Sequence, residues 1–186
     1  LFRSAFLLLS LPTLYGESSP PNIILLYADD LGYTDLSCQG SDYYRTPNID
    51  RLAKEGMTFT NAYAAAANCA PSRASLMTGL YTPRHGVFTV GNSDRGKAAH
   101  RRLIPATNKT VLTRDLPTMA QILKHAGYRT AVAGKWHLSD DPIPYGFDTN
   151  FGGLKWGAPK SYFSPYRNPK LKDGPKGEHL PARLAT

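Results

Sequence analysis

Two adjacent carboxylates, Asp29 and Asp30, follow a continuous apolar run at residues 23–28. Their side chains would point to opposite faces of a strand, so they converge only if the backbone turns where the run ends. Two carboxylates about 4 Å apart repel by roughly 4 kcal/mol at an effective dielectric of about 20, and a hard divalent cation reverses that repulsion. The pair suggests a calcium site, or less readily magnesium, although by itself it fits a solvated loop or a helix cap better.

Cys69 is one of two cysteines, and neither has the spacing of a zinc or redox site. The residues that follow predict a helix over 71–78 that ends at Gly79. The free N–H groups and positive dipole end of such a helix favour an anion, and Arg73 adds a permanent charge. A lone thiol is ordinarily buried and inert, so any chemistry at Cys69 must come from these neighbours.

The motif Cys-x-Pro-Ser-Arg at residues 69–73, followed by Leu-x-Thr-Gly at 76–79, resembles the modification signature of type I sulfatases, in the alkaline-phosphatase-like superfamily. The resemblance implies that a maturation enzyme oxidises Cys69 to formylglycine, whose hydrated aldehyde carries two hydroxyls. One hydroxyl would attack sulfur to form a covalent sulfate ester, and the other would then expel sulfate. It further implies that Arg73 holds this diol, and that Asp29, Asp30 and residue 69 as formylglycine bind calcium.

A second motif, Gly134-Lys135-Trp136-His137-Leu138, resembles the family segment in which the Lys contacts sulfate and formylglycine and the His hydrogen-bonds the diol. Lys135 and His137 would share one face of an extended segment, and the preceding strand would deliver them to the sheet edge that holds Asp29. The resemblance therefore implies that Cys69, Arg73, Lys135 and His137 are catalytic and that Lys135 and His137 also bind substrate. The family's second metal-ligand pair, its additional sulfate-binding Lys and its acid His are not recognisable.

The elements that would position these residues alternate between strands and helices. The apolar run 23–28 has the pattern of a central parallel strand that is buried on both faces. Proline starts and glycine stops predict helices, and Thr-rich or aromatic runs predict strands, in the order helix 47–55, strand 57–63, helix 71–78, helix 116–127 and strand 128–133. This order predicts an α/β fold, the N-terminal part of an alkaline-phosphatase-like sandwich with a central, mostly parallel sheet flanked by helices.

The remaining segments predict loops and turns. Residues 86–113 are polar and basic without a sustained period, which favours a long surface loop that could shape a substrate pocket. After residue 140 the sequence shifts to Pro, Gly, Lys and aromatic residues, so little regular structure is expected there.

The two ends of the chain predict export and a partial domain. In residues 1–19, Arg3 precedes a short apolar run. A helix needs about 20 apolar residues to cross a bilayer, so this run is too short to do so, but the segment suits a signal peptide with its spacer. We therefore expect a periplasmic or secreted protein without stable membrane insertion. Residues 20–186 are expected to be the N-terminal part of a sulfatase catalytic domain whose C-terminal part is missing, since the sequence opens with Leu1 and stops without a terminating element.

The formal charge of +8 is compatible with nucleic acid, an anionic membrane or an acidic substrate as a partner, and by itself it fits a solvated basic surface best. The basic residues lack the aromatic interleaving of a platform for bases, which argues against nucleic acid. The basic loop at residues 95–102 favours polyanionic sulfated carbohydrates, although aryl sulfates would fit the same site. Hydrolysis of sulfate esters is the expected activity. Two alternatives stay open: a phosphodiesterase or phosphonate monoester hydrolase of the same superfamily, and an inactive glycan-binding homologue in which Cys69 remains a thiol.

Overall fold

The computed structural model describes residues 19–186, and the predicted signal peptide, apart from Ser19, lies outside them. Ten short elements follow one another in this part of the chain. The helices are α1 (Pro47–Glu55), α2 (Cys69–Thr78), α3 (Thr82–His85), α4 (Met119–His125) and α5 (Leu180–Ala185); the strands are β1 (Ala131–Ala133) and β2 (Thr149–Phe151); 3-10 turns cover Ser37–Gln39, Ala98–His100 and Ile143–Tyr145. Within residues 19–186, none of the helices has the length and apolar character needed to cross a membrane.

The predicted helix stops are confirmed in the first two helices. α1 has the predicted bounds and ends before Gly56. α2 ends before Gly79, whose left-handed backbone (φ 68°) lets its N–H donate to the Ser75 carbonyl at 2.8 Å. α2 begins two residues earlier than predicted, because a proline in the first turn of a helix needs no N–H partner. Cys69 is therefore the first residue of α2 and does not merely precede it.

α4 is shorter than the predicted helix 116–127. It begins at a capping box, in which the Thr118 hydroxyl accepts from the Gln121 N–H and the Gln121 side chain accepts from the Thr118 N–H. The sequence also predicts an apolar face at Met119, Ile122 and Leu123, which is partly wrong because Ile122 is 63% exposed. Ala120 is the buried residue of this helix. The chain at Gly146 approaches this helix start so closely that a Cβ there would lie 2.5 Å from the Gln121 nitrogen.

The predicted parallel sheet is confirmed, with two strands in the described residues. β1 pairs in parallel with β2, and Val132 lies opposite Asn150. β1 covers only the end of the predicted strand 128–133. β2 lies in the region expected to have little regular structure, and its three residues carry no strand pattern that could have revealed it.

Two predicted strands, 23–28 and 57–63, are absent from the described residues. Ile24 and Leu26 are 84% and 81% exposed, and Phe59 is 73% exposed. A strand forms only beside a neighbour that accepts its hydrogen bonds, and within residues 19–186 only β1 and β2 pair as strands. The segment 23–28 instead lines a cavity of about 630 Å³ that β1 also lines.

The core joins α2 to the chain that follows β1. Its centre is Trp136, which packs against Tyr145 and Phe147 at ring-centroid distances of 5.4 and 5.7 Å. Ala70 and Ala74 bring one face of α2 onto the same core. The other buried apolar residues of this core are Val87, Leu112, Ala120 and Leu138. Because Trp136 lies between Lys135 and His137, this packing fixes the second motif against the helix that begins at Cys69.

Candidate active site

A carboxylate, a guanidinium and an ammonium group meet where three segments converge. The Asp29 carboxylate accepts from Lys135 Nζ at 2.5 Å, and its other oxygen lies 3.7 Å from Arg73 Nη2. Arg73 Nη1 donates to the Lys135 carbonyl at 2.5 Å. Asp29, Arg73 and Lys135, which the sequence singled out, are thus in direct contact. Asp29 and Lys135 lie 106 positions apart in the sequence.

α2 positions Cys69 relative to this cluster. Cys69 and Arg73 are four residues apart on the helix, so they share one face and are separated by about 6 Å along its axis. The Cys69 thiol is half-buried. The N-cap residue Asn68 makes no side-chain bond to the helix, so the positive end of α2 carries no side-chain cap.

Tyr27 and Ser72 support Arg73, and the sequence analysis missed both. The Arg73 guanidinium lies over the Tyr27 ring at 5.1 Å from its centroid, and the Tyr27 hydroxyl bonds to Ser72 Oγ at 2.5 Å. Arg73 is only 11% exposed. Alternation would have identified Tyr27, because residues two apart on an extended segment share a face and Tyr27 lies two before Asp29.

His137 lies near the charged cluster, since the charges of Lys135, Arg73 and Asp29 all act on its imidazole. β1 ends at Ala133, and both Gly134 (φ 90°) and His137 (φ 66°) are left-handed. That Lys135 and His137 share one face of this segment stays a prediction. The His137 N–H donates to the Leu154 carbonyl at 2.8 Å. Gly157 lies against the imidazole, and a Cβ there would be 3.0 Å from His137 Cε1.

The surroundings of His137 favour the neutral imidazole. Burial is the main cause that lowers its pKa, and the charges of Lys135 and Arg73 lower it further. Asp29 partly opposes this shift. The Nδ1 atom is buried and has no partner in the described part of the chain. A buried nitrogen without a partner costs free energy, so a group that bonds to Nδ1 would remove that cost.

Asp30 lies at the turn that the adjacent carboxylates require. Its backbone is left-handed (φ 56°), but its side chain is exposed and makes no hydrogen bond or ion pair within residues 19–186. In the same residues no group of three or more His, Cys, Asp or Glu side chains could hold a metal ion. Calcium takes 6 to 8 oxygens. Asp29 and Asp30 have the right chemistry for calcium, but by themselves they are too few to form the site.

Arg73 and Lys135 carry two positive charges against the single charge of Asp29, so the cluster keeps a net positive charge that suits a monoanion. With Asp29 they line the cavity of about 630 Å³. Arg73 belongs to α2, and Lys135 is bonded to Arg73 through its carbonyl. The N-terminal end of α2 has no side-chain cap, and its positive dipole end favours an anion as well. The arrangement can bind and orient an anionic group near residue 69.

A family model described as Sulfatase matches residues 21–180. The chain is 37% identical over 157 residues to the human N-acetylgalactosamine-6-sulfatase, a match that covers 82% of this chain and 28% of the relative. It is 44% identical over 126 residues to an N-acetylgalactosamine-6-O-sulfatase of Bacteroides thetaiotaomicron, with 68% of this chain and 22% of the relative covered.

The chain also matches solved structures of sulfatases. A structure from work on glycosaminoglycan metabolism by Bacteroides thetaiotaomicron, designated 6S-sulf, matches with a TM-score of 0.59 and 40% identity, over 74% of this chain and 28% of that one. This likeness confirms the predicted alkaline-phosphatase-like α/β fold. The chain spans about a quarter of the length of the curated relatives that it matches, 28% in the human case.

Proposed function

The chain belongs to the sulfatase family, and from this premise we propose that the protein hydrolyses sulfate esters of carbohydrates to an alcohol and sulfate. One observation carries the proposal: Lys135 and Arg73, which lies four residues after Cys69 on α2, both contact Asp29. Two cations held together about one helical turn from residue 69 favour an anionic substrate there.

Cys69 is the proposed nucleophile position. After oxidation to formylglycine, one hydroxyl of the hydrated aldehyde at residue 69 attacks sulfur, and the ester S–O bond breaks to release the substrate alcohol. The second hydroxyl then loses its proton as the C–O bond to sulfate breaks, which releases sulfate and regenerates the aldehyde, and water hydrates the aldehyde again. Arg73 holds the diol of residue 69 and the metal-site carboxylate of Asp29, and Lys135 binds and orients the sulfate oxygens through charge-assisted hydrogen bonds. Trp136 keeps Lys135 and His137 fixed during the reaction, because its ring is buried in the core.

His137 is proposed to hydrogen-bond the hydroxyl of residue 69 through Nδ1, the buried atom that lacks a partner in the described residues. Its lowered pKa supports this role, because a neutral imidazole can accept a proton whereas an imidazolium cannot. The left-handed backbone of His137 supports it too, since such strain is retained where the surrounding structure imposes it for a purpose.

Asp29 and Asp30 are proposed to contribute carboxylates to a calcium site, with magnesium as the weaker candidate. Calcium would neutralise negative charge on the sulfate group as the ester bond breaks. Its further oxygen ligands would have to come from groups other than the His, Cys, Asp and Glu side chains of residues 19–186.

The substrates we propose are sulfated amino sugars, alone or within glycosaminoglycan chains. Two curated relatives are named for N-acetylgalactosamine-6-sulfate hydrolysis, and the basic loop 95–102 would attract such polyanions. We also propose a formylglycine-generating maturation enzyme as a partner, and export to the periplasm or the medium, which the pattern of residues 1–19 supports.

The test uses the full-length protein, expressed together with a formylglycine-generating enzyme. Release of inorganic sulfate is measured from N-acetylgalactosamine-6-sulfate, glucosamine-6-sulfate, an aryl sulfate and the matching phosphate esters, with Cys69→Ala as the inactive control. The proposal predicts sulfate release from the amino sugars that Cys69→Ala abolishes. Preference for phosphate or phosphonate esters would favour the related hydrolases, and sugar binding without turnover would favour an inactive glycan-binding protein.

A further inference from the structure

The residue before Cys69 is tied to the basic loop by side-chain hydrogen bonds. The Asn68 amide, which does not cap α2, donates to Thr89 Oγ1 at 3.2 Å. Arg95 Nη2 lies 3.5 Å from the same oxygen and donates to the Val90 carbonyl at 2.8 Å. The Arg95 guanidinium is therefore separated from the neighbour of Cys69 by a single hydroxyl group.

Asn108 holds Thr89 in place from the far end of the loop. Its Oδ1 accepts from the N–H groups of Phe88 and Thr89 at 2.7 and 3.1 Å, and its Nδ2 donates to the Thr89 carbonyl at 3.0 Å. These bonds join positions about twenty residues apart. They give this part of a loop without regular structure a defined position beside α2.

Arg101 holds the turn that carries Arg95. Its Nε and Nη2 donate to the carbonyls of Arg95 and Gly96, both at 3.1 Å, and its Nη1 binds Asp94 at 2.8 Å. All three nitrogens of Arg101 thus have partners, and Asp94 is neutralised by Arg101. Asp94 consequently does not offset the charge of Arg95.

Arg95 keeps unused donors and an uncompensated charge. Only its Nη2 donates within residues 19–186, and it has no carboxylate partner there. Its Nε and Nη1 donate to no group of residues 19–186 and can form charge-assisted hydrogen bonds to a sulfate or a carboxylate. In the proposed mechanism Lys135 binds the scissile sulfate and Arg73 holds the diol of residue 69, so Arg95 is free for a different anionic group.

We propose that Arg95 binds a second anionic group of the substrate, a further sulfate or a uronate carboxylate, on the Asn68 side of the nucleophile. The inference rests on the proposed function, since it concerns the specificity of the same site. Arg95 then selects saccharides with more than one acidic group, and Asn68, Thr89 and Asn108 act as positioning residues for it.

The test compares Arg95→Ala with Arg102→Ala in the full-length protein. Arg102 is exposed in the same loop and its side chain makes no hydrogen bond or ion pair within residues 19–186. Each variant removes one positive charge. The substrates are a hexosamine 6-sulfate, the same sugar with a second sulfate, and a 6-sulfated hexosamine linked to a uronic acid. We expect Arg95→Ala to lower kcat/KM by about tenfold or more for the second or third substrate, as lost charged hydrogen bonds do, and to leave the first nearly unchanged.

Arg102→Ala should cause a small, similar decrease for all three substrates. The substrate that responds to Arg95→Ala identifies the group bound, sulfate or carboxylate. Arg95→Lys keeps the charge but lacks the guanidinium group, so its kcat/KM should fall between those of wild type and Arg95→Ala. This intermediate value would show that the loss in Arg95→Ala does not come from a folding defect. Equal effects of the Arg95 and Arg102 variants, or an Arg95 effect of the same size on the monosulfated sugar, would overturn the inference.

A binding measurement separates this inference from the proposed function. In the Cys69→Ala background, calorimetry with the disulfated and uronate-linked sugars should show affinity that Arg95→Ala weakens and Arg102→Ala does not. Arg95-dependent binding without sulfate release by the matured protein would uphold the subsite while the hydrolase proposal fails. Sulfate release with no Arg95 dependence would uphold the hydrolase and refute the subsite, and absence of binding would refute the subsite as well.

Discussion

Replacing Arg73 by lysine keeps the positive charge of the site but removes the planar guanidinium. Arg73 makes three contacts at once: a hydrogen bond to the Lys135 carbonyl, an ion pair with Asp29 and a cation–π contact with Tyr27. An ammonium group is a point charge and cannot reach all three. We therefore expect Arg73→Lys to lower both catalysis and stability.

The contacts set the size of the effect on stability. A hydrogen bond from a charged donor contributes about 1.5–3 kcal/mol and a partly buried cation–π contact about 0.5–2 kcal/mol. Arg73 is 11% exposed, so water replaces little of what is lost. If the lysine keeps the attraction to Asp29, the free energy of unfolding should fall by about 2 kcal/mol. Arg73→Ala should cost more, because it also removes the buried side-chain volume and leaves Asp29 with Lys135 alone.

The effect on catalysis should be larger than the effect on stability. Loss of one oriented donor to a developing negative charge reduces kcat by about 10²–10³-fold. The assay is urea unfolding, checked for an unchanged m-value, together with kcat and KM on a sulfated hexosamine. Arg84→Lys, at an exposed position of α3, is the matched control and should change neither quantity. If Arg73→Lys retained wild-type kcat and stability, the contacts of the guanidinium would have no role in the site.

Two further predictions concern histidines. His85 is fully buried, with Nε2 bonded to Ser75 Oγ and Nδ1 accepting from the Val87 N–H, and burial lowers its pKa. The unfolded chain then binds a proton more readily than the folded one. The free energy of unfolding should therefore be constant above the unfolded pKa of about 6.5 and decrease as the pH falls below it. Urea melts over a pH series measure this dependence, and an equal slope of unfolding free energy against pH in wild type and His85→Gln would contradict it. Gly157→Ala should displace the His137 ring and lower kcat several-fold without a large change in melting temperature, and an unchanged kcat would show that this contact is not needed.

Local signals in the sequence predicted what depends on local structure. The helix ends at Gly56 and Gly79 were correct, because caps are decided by a few neighbouring residues. The adjacent carboxylates and the two motifs also led to Asp29, Arg73 and Lys135, which are in contact. The roles assigned to these residues stay predictions, because they concern reaction steps and not contacts.

Features that depend on contacts between distant parts of the chain could not be predicted from the sequence. Residues 23–28 have the composition of a strand, but a strand exists only with a partner, and the described residues place none beside it. β2 was missed because Thr149–Phe151 becomes a strand only by pairing with β1. The bonds from Asn68 to Thr89 and from Thr89 to Asn108 cross about twenty residues of loop, and no periodic pattern announces them.

The central claim is that residue 69 carries an aldehyde in the mature protein. Mass spectrometry of the peptide containing Cys69, from protein made together with a formylglycine-generating enzyme, measures this directly. The account predicts a peptide in which one oxygen has replaced sulfur with the loss of two hydrogens, and which reacts with a hydroxylamine probe. An intact thiol at residue 69 in protein that nonetheless releases sulfate would contradict the account.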